Sequence, residues 1–198
     1  MKKPLWIWIV SLALIAVSAW TRPAQAQTPT AYVRGILDQV MAIQNDPAQS
    51  TQTRSQAIHR IIERNFDFDL MAKDSLGPAY DRLSGAQRQQ FTQTFSYLFQ
   101  DSYTRLVINF LKQENIEYRK ETSAGGKARE ETAIVRTNEN IPVTYLMRTA
   151  PQGWILYDVI VDGVSILQNY KTQFAQVIRT KSFDFLLNKM QEQRRAIQ

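Results

Sequence analysis

The chain of 198 residues contains one histidine, His59, and no cysteine. Those two counts remove much of the chemistry that side chains can perform. Zinc is held by thiolates, imidazoles and carboxylates in combination, so a metal centre has almost no ligand set here. A cysteine nucleophile is excluded, and a serine nucleophile would have to use His59 as its base. No G-x-S-x-G turn surrounds any serine. His59 lies among Ile58, Ile61 and Ile62, the position of a helix-boundary histidine. Gly125-Gly126-Lys127 lacks the spacing of a phosphate loop and precedes a β-prone run, which makes it a hairpin turn. Asp67 and Asp69 flank Phe68, and one of them is placed to cap the helix that follows. Asp158 is the most interesting carboxylate. It sits between Tyr157 and Val159 in an apolar run, where burial would raise its pKa or demand a hydrogen-bond partner. It is either a structural clamp or, with Tyr145 or Tyr157, an acid-base group acting on a small apolar substrate.

The elements that would carry these residues follow from hydrophobic spacing. Val33, Ile36, Leu37, Val40 and Ile43 mark one helix face, and Ala57, Ile58, Ile61, Ile62 and Phe66 mark a second. A short third helix is expected from Phe68 to Leu76, closed by Gly77-Pro78. Ser84 with Gln87 forms a capping box, and Phe91, Phe95, Leu98, Phe99, Leu106, Val107 and Phe110 predict a long helix ending near Lys112. Four β-prone runs follow, around Ile116, Ile134, Val143 to Met147 and Ile155 to Val161. Their breaks at Ala124-Gly125-Gly126, Asn138-Glu139-Asn140 and Pro151-Gln152-Gly153 are short enough for antiparallel hairpins. Ser165 with Gln168 predicts a second capping box, opening a helix through Leu167, Tyr170, Phe174 and Val177, with a last helix carrying Phe183, Leu186, Leu187 and Met190. Helices before and after a meander predict an α+β fold with helices packed on one sheet.

Lys2 and Lys3, the uncharged run from Leu5 to Trp20 and Ala24-Gln25-Ala26 have the layout of a secretory signal cleaved after Ala26. A membrane anchor is the competing interpretation, since a spanning helix needs roughly 17 to 25 residues. Residues 27–198 are then expected to form a single domain. The charge of +6 falls to +3 once Lys2, Lys3 and Arg22 leave. The remaining basic residues are scattered, which argues against a nucleic-acid partner. An exported chain without disulfides must rest on its hydrophobic core.

Several strings resemble one family. Phe66-Asp67-Phe68-Asp69-Leu70-Met71-Ala72, Leu76-Gly77, and Gln90-Phe91 with Phe95 and Leu98 resemble the FD…MA…LG…F…F…L pattern of the MlaC, or toluene-tolerance auxiliary, family. Ile141-Pro142-Val143 with Tyr145, Gly153-Trp154 with Tyr157-Asp158-Val159, Gly163-Val164-Ser165, Asn169-Tyr170 and Gln173-Phe174 are similar to its second half. The resemblance spans roughly residues 30 to 190.

That resemblance implies a periplasmic carrier, with no catalytic residue and no cofactor, whose cargo is a glycerophospholipid. Its implied partners are an inner-membrane ABC transporter with a lipid-binding substrate domain and an outer-membrane lipoprotein-porin complex. The implied fold is an NTF2-like four-stranded antiparallel sheet packed by helices around an apolar lipid cavity. Tail contacts are then expected from Phe66, Leu70, Phe95, Leu98, Phe99 and Tyr103 on the helical side and from Val143, Tyr145, Met147, Tyr157 and Val159 on the sheet. Trp154, Leu156 and Ile160 make the other face of the last strand apolar too, so the pattern leaves open which face meets cargo. A periplasmic adaptor with no ligand, its apolar residues all core, is the third reading.

Overall fold

A computed structural model describes residues 27–111 and 114–197. The expected signal segment, residues 1–26, lies outside the described residues. Helix α1 (Pro29–Asn45) opens on Thr28, whose side chain accepts from Ala31 N, and α2 (Thr51–Asn65) opens on Ser50 in the same way. Phe66 falls just beyond α2, a correction to the expected helix face: its backbone is extended and bridges Leu156 in parallel. Asp67 caps α3 (Phe68–Leu76) by accepting from Leu70 N at 3.1 Å. Gly77, at φ 54° and ψ −136°, turns the chain into the single-turn α4 (Pro78–Asp81) in a conformation that side chains disfavour. The Ser84–Gln87 capping box is present with both of its bonds and starts α5, which runs from Gly85 to Phe110.

The meander consists of β1 (Asn115–Ala124), β2 (Lys127–Val135), β3 (Asn140–Ala150) and β4 (Gly153–Val161), each antiparallel to the next. A fifth, two-residue strand, β5 (Val164–Ser165), corrects the expected four. It pairs back on β4 across Asp162-Gly163. Both turn residues have positive φ, 49° and 78°, as a two-residue hairpin of this hand requires. Ser165 then caps α6 (Ile166–Thr180) through Gln168 N. The Gln168 side chain turns instead to Thr172, so the second capping box is only half made. Helix α7 (Phe183–Ile197) closes the chain.

Ladder partners share a sheet face, which identifies the face that meets the helices. Tyr145 pairs with Glu130 and Val159, and Val143 with Thr132 and Val161. Between Leu146 and Met147 the β3–β4 register shifts, so that Met147 pairs with Leu156. The extra residue is Tyr157. A bulge changes which alternate residues face inward, so Tyr157, expected on the same face as Val159, leaves that face, and the inward row of β4 is Leu156, Val159 and Val161. Helix α5 lies against α2, α3 and α7, while α6 packs on α3 and β4. The core between helices and sheet includes Phe91, Phe95, Leu98, Phe99, Met147 and Leu156, each no more than 1% exposed.

Candidate functional site

The apolar stripe of α5 has two halves. In the first, aromatic rings fill all the space. Phe95 and Phe99 are 6.1 Å apart, Phe99 and Tyr103 5.4 Å, and Phe66 lies 5.2 Å from Phe99 and 5.3 Å from Tyr103. Tyr170 and Phe174 from α6 close the other side, at 5.4 and 6.2 Å from Phe95. In the second half the stripe continues through Tyr103, Leu106, Val107 and Phe110, the three-and-four spacing of one helix face. A pocket of about 60 Å³ remains there, bounded below by Ile134, Ile141, Val143, Tyr145 and Val161 of the sheet and capped by Leu111.

Three of the expected contact residues, Tyr103, Val143 and Tyr145, line this pocket. Beside Tyr103, Phe99 stacks on its ring and Phe66 meets it edge-on. Phe95, Leu98, Met147 and Val159 are buried in the packed core without lining the pocket. Leu70 is half-buried and outside the main core cluster. Tyr157, displaced by the bulge, lines a separate surface depression with Leu146 and Arg129. Ile134 was masked in sequence because the inward row of β2 is Ala128, Glu130, Thr132 and Ile134, and two polar residues hide the alternation. The signal available for α5 was the continuation of its stripe past Tyr103.

Eight of the ten lining side chains are hydrocarbon, and the other two are phenols. Burial pushes the Tyr145 hydroxyl well above its usual range, and burial followed by the Asp158 charge raises that of Tyr103. Both stay protonated at neutral pH, so neither serves as a base. Asp158, only 6% exposed, spends its carboxylate on three donors: Ser165 Oγ at 2.5 Å, Val159 N at 2.9 Å and Leu167 N at 3.0 Å. Burial raises its pKa while these bonds oppose the rise. It faces the β4–α6 corner and is not among the lining residues, so the acid-base reading has no facing pair of groups. His59 lies 3.4 Å from Asp101, which also accepts from Arg194 Nε at 3.0 Å and so joins α2, α5 and α7. Among the described residues no group of three or more histidines, aspartates and glutamates could hold a metal ion.

A wider groove of about 740 Å³ runs beside the last turn of α5, lined by Gln44, Arg54, Glu114 and Arg136 among others. Its charged lining suits water or a polar ligand; hydrocarbon belongs in the smaller pocket.

Residues 34–192 match the family described as MlaC protein. The intermembrane phospholipid transport system binding protein MlaC of Haemophilus influenzae is 25% identical, over 94% of this chain and 92% of that one. Among solved structures, the phospholipid-binding protein of Ralstonia solanacearum, determined in complex with a phospholipid, has a TM-score of 0.74 at 24% identity. The match covers 88% of this chain and 99% of that one, and shows a shared fold.

Proposed function

Because the chain belongs to the MlaC family, we propose that it carries a phospholipid between the membranes of the cell envelope and catalyses no reaction. The observation that carries this reading is the apolar pocket between the last turns of α5 and the sheet, lined by hydrocarbon and two protonated phenols. Two acyl chains expose about 30 methylene and methyl groups, which cost on the order of 20 kcal/mol in water at about 0.8 each. A carrier therefore has to enclose them, without holding them more tightly than a bilayer does. Exchange is then near neutral, and direction comes from the partners.

The pocket of about 60 Å³ has room for about two water-sized groups at roughly 30 Å³ each. That is far too small for two acyl chains, so loading has to part the end of α5 from the sheet. The rest of the proposal follows the family: one NTF2-like domain over residues 27–198, released into the periplasm by cleavage after Ala26. It would receive and deliver lipid at an outer-membrane lipoprotein-porin complex and an inner-membrane ABC transporter. The tight packing of Phe95, Leu98, Phe99 and Met147 favours one competitor, the ligand-free adaptor. Export of the full chain, native purification from a periplasm and lipid mass spectrometry separate the two. Stoichiometric phospholipid supports the carrier, and a folded protein that is reproducibly lipid-free supports the adaptor.

A further inference from the structure

An α-helix leaves its last carbonyls without donors from its own backbone. The C-cap of α5, Leu111, is extended, and its own N–H donates to Val107 O at 2.9 Å. Two side chains from other elements supply the donors. Gln44, on α1, donates through Nε2 to Leu111 O at 2.5 Å and Ile108 O at 3.2 Å, with Val107 O at 3.4 Å. Arg136, just past β2, donates through Nη2 to Phe110 O at 2.9 Å and to Glu114 Oε1 at 3.1 Å. Its guanidinium also lies 5.8 Å from the centre of the Phe110 ring and 3.8 Å from Glu139. Val107, Phe110 and Leu111 are the residues that roof the apolar pocket.

We infer that Gln44 and Arg136 form a latch holding the last turn of α5 down on the sheet, and that its release admits the acyl chains of the cargo. This rests on the carrier reading and names the residues that set its opening step. The two halves of the α5 stripe differ in what opening costs. Parting the first half would expose Phe66, Phe95 and Phe99 to water. Parting the second exposes smaller aliphatic side chains that already border a pocket, with Phe110 already 42% exposed, and breaks hydrogen bonds that water replaces. Opening therefore begins at the Phe110 end, where the latch sits, and the aromatic half acts as the hinge.

The test uses protein exported as the full chain, purified from the periplasm and stripped of lipid. It is mixed with phosphatidylethanolamine and phosphatidylglycerol vesicles carrying a pyrene-labelled phospholipid, and amide hydrogen exchange is followed in parallel. Gln44→Leu should take up the probe about tenfold faster than wild type, to a similar final level. Exchange should quicken at Phe110 and Leu111 and stay unchanged at Phe95 and Phe99. Arg136→Gln carries the same expectation if the first variant fails to fold. Wild-type uptake with unchanged rates in folded variants overturns the latch and leaves the carrier standing. No uptake by wild type, while a lipid-transfer control takes up the probe, overturns the carrier reading and the latch with it.

Discussion

The Ser165 hydroxyl donates a 2.5 Å hydrogen bond to Asp158 across the β4–β5 turn, and the same carboxylate accepts from Leu167 N in the first turn of α6. The strings Tyr157-Asp158-Val159 and Gly163-Val164-Ser165 are thus two sides of one corner. Removing the carboxylate takes the acceptor from two N–H groups, Val159 and Leu167, and from the Ser165 hydroxyl, at about 1 to 3 kcal/mol for each group left buried and unpaired. With two of these groups unpaired, Asp158→Ala is expected to lower Tm by roughly 4 to 24 °C, at about 2 to 4 °C per kcal/mol for a chain of this size. Lipid exchange by the folded fraction should change less than twofold. A variant that keeps its Tm but loses exchange would place Asp158 in function and not in the corner.

Thr30 Oγ1 lies 2.6 Å from Glu121 Oε2 and 2.7 Å from Glu130 Oε2. The Thr30 hydroxyl donates to both carboxylates, and Glu121 also accepts from Thr30 N, so the two carboxyls share one side-chain donor. Burial at 1% exposure raises its pKa, and the Glu121 and Glu131 charges add to the rise, against the Thr30 bond and Arg34. The folded state then holds a proton that the unfolded state has released. Its stability contribution is present at acid pH and lost as pH climbs from the unfolded pKa, about 4.3, through the raised folded value. Glu130→Gln keeps an acceptor for the Thr30 hydroxyl and removes that titration. Its Tm at pH 7.5 should exceed wild type by a few degrees, with the gap closing toward pH 4. A gap that widens on acidification would reverse the assignment.

Leu98 and Val143 were both expected to touch cargo, and the structure gives them different surroundings. Leu98 is fully buried in the helical core away from the pocket, and Val143 lines it. Leu98→Ala is expected to cost about 2 to 5 kcal/mol in a denaturation curve, with lipid still co-purifying. Val143→Asp should remove lipid from the purified protein while circular dichroism stays native. Lipid retained on folded Val143→Asp would move the cargo to another site.

The helices were legible in the sequence wherever a cap and a stripe coincided. Ser84, Gln87 and the phenylalanines of α5 bracket the helix without any tertiary information, and the three turns of the meander carry their glycines and asparagines openly. The faces were harder. Nothing local announces that Tyr157 is the extra residue of a bulge, because the register shift arises from its pairing with β3. Phe95 and Tyr103 belong to one apolar stripe, and it is the rings brought by α6 that seal the first while the second borders a pocket. Glu130 and Thr132 interrupt the inward row of β2, the first for Thr30, a residue 100 positions away, and the second for a hydrogen bond to Val143 O on β3.

Filling the void should separate stability from cargo. Val161 lines the pocket from β4 and is only half-buried, so a larger side chain there can grow into empty space without displacing packed atoms. Occupying about 60 Å³ of cavity is worth about 1.4 kcal/mol at roughly 24 cal/mol per Å³. Val161→Phe is therefore expected to raise Tm by roughly 3 to 6 °C. The same ring occupies the space where the closed pocket begins to open, so the phospholipid recovered per mole of protein should fall severalfold. A substitution that merely damaged the fold would lower both quantities. One that sat outside the cargo site would raise Tm and leave lipid unchanged, which would break the link between this pocket and phospholipid. Opposite movement is the signature of a cargo that enters by displacing the contacts that keep the protein closed.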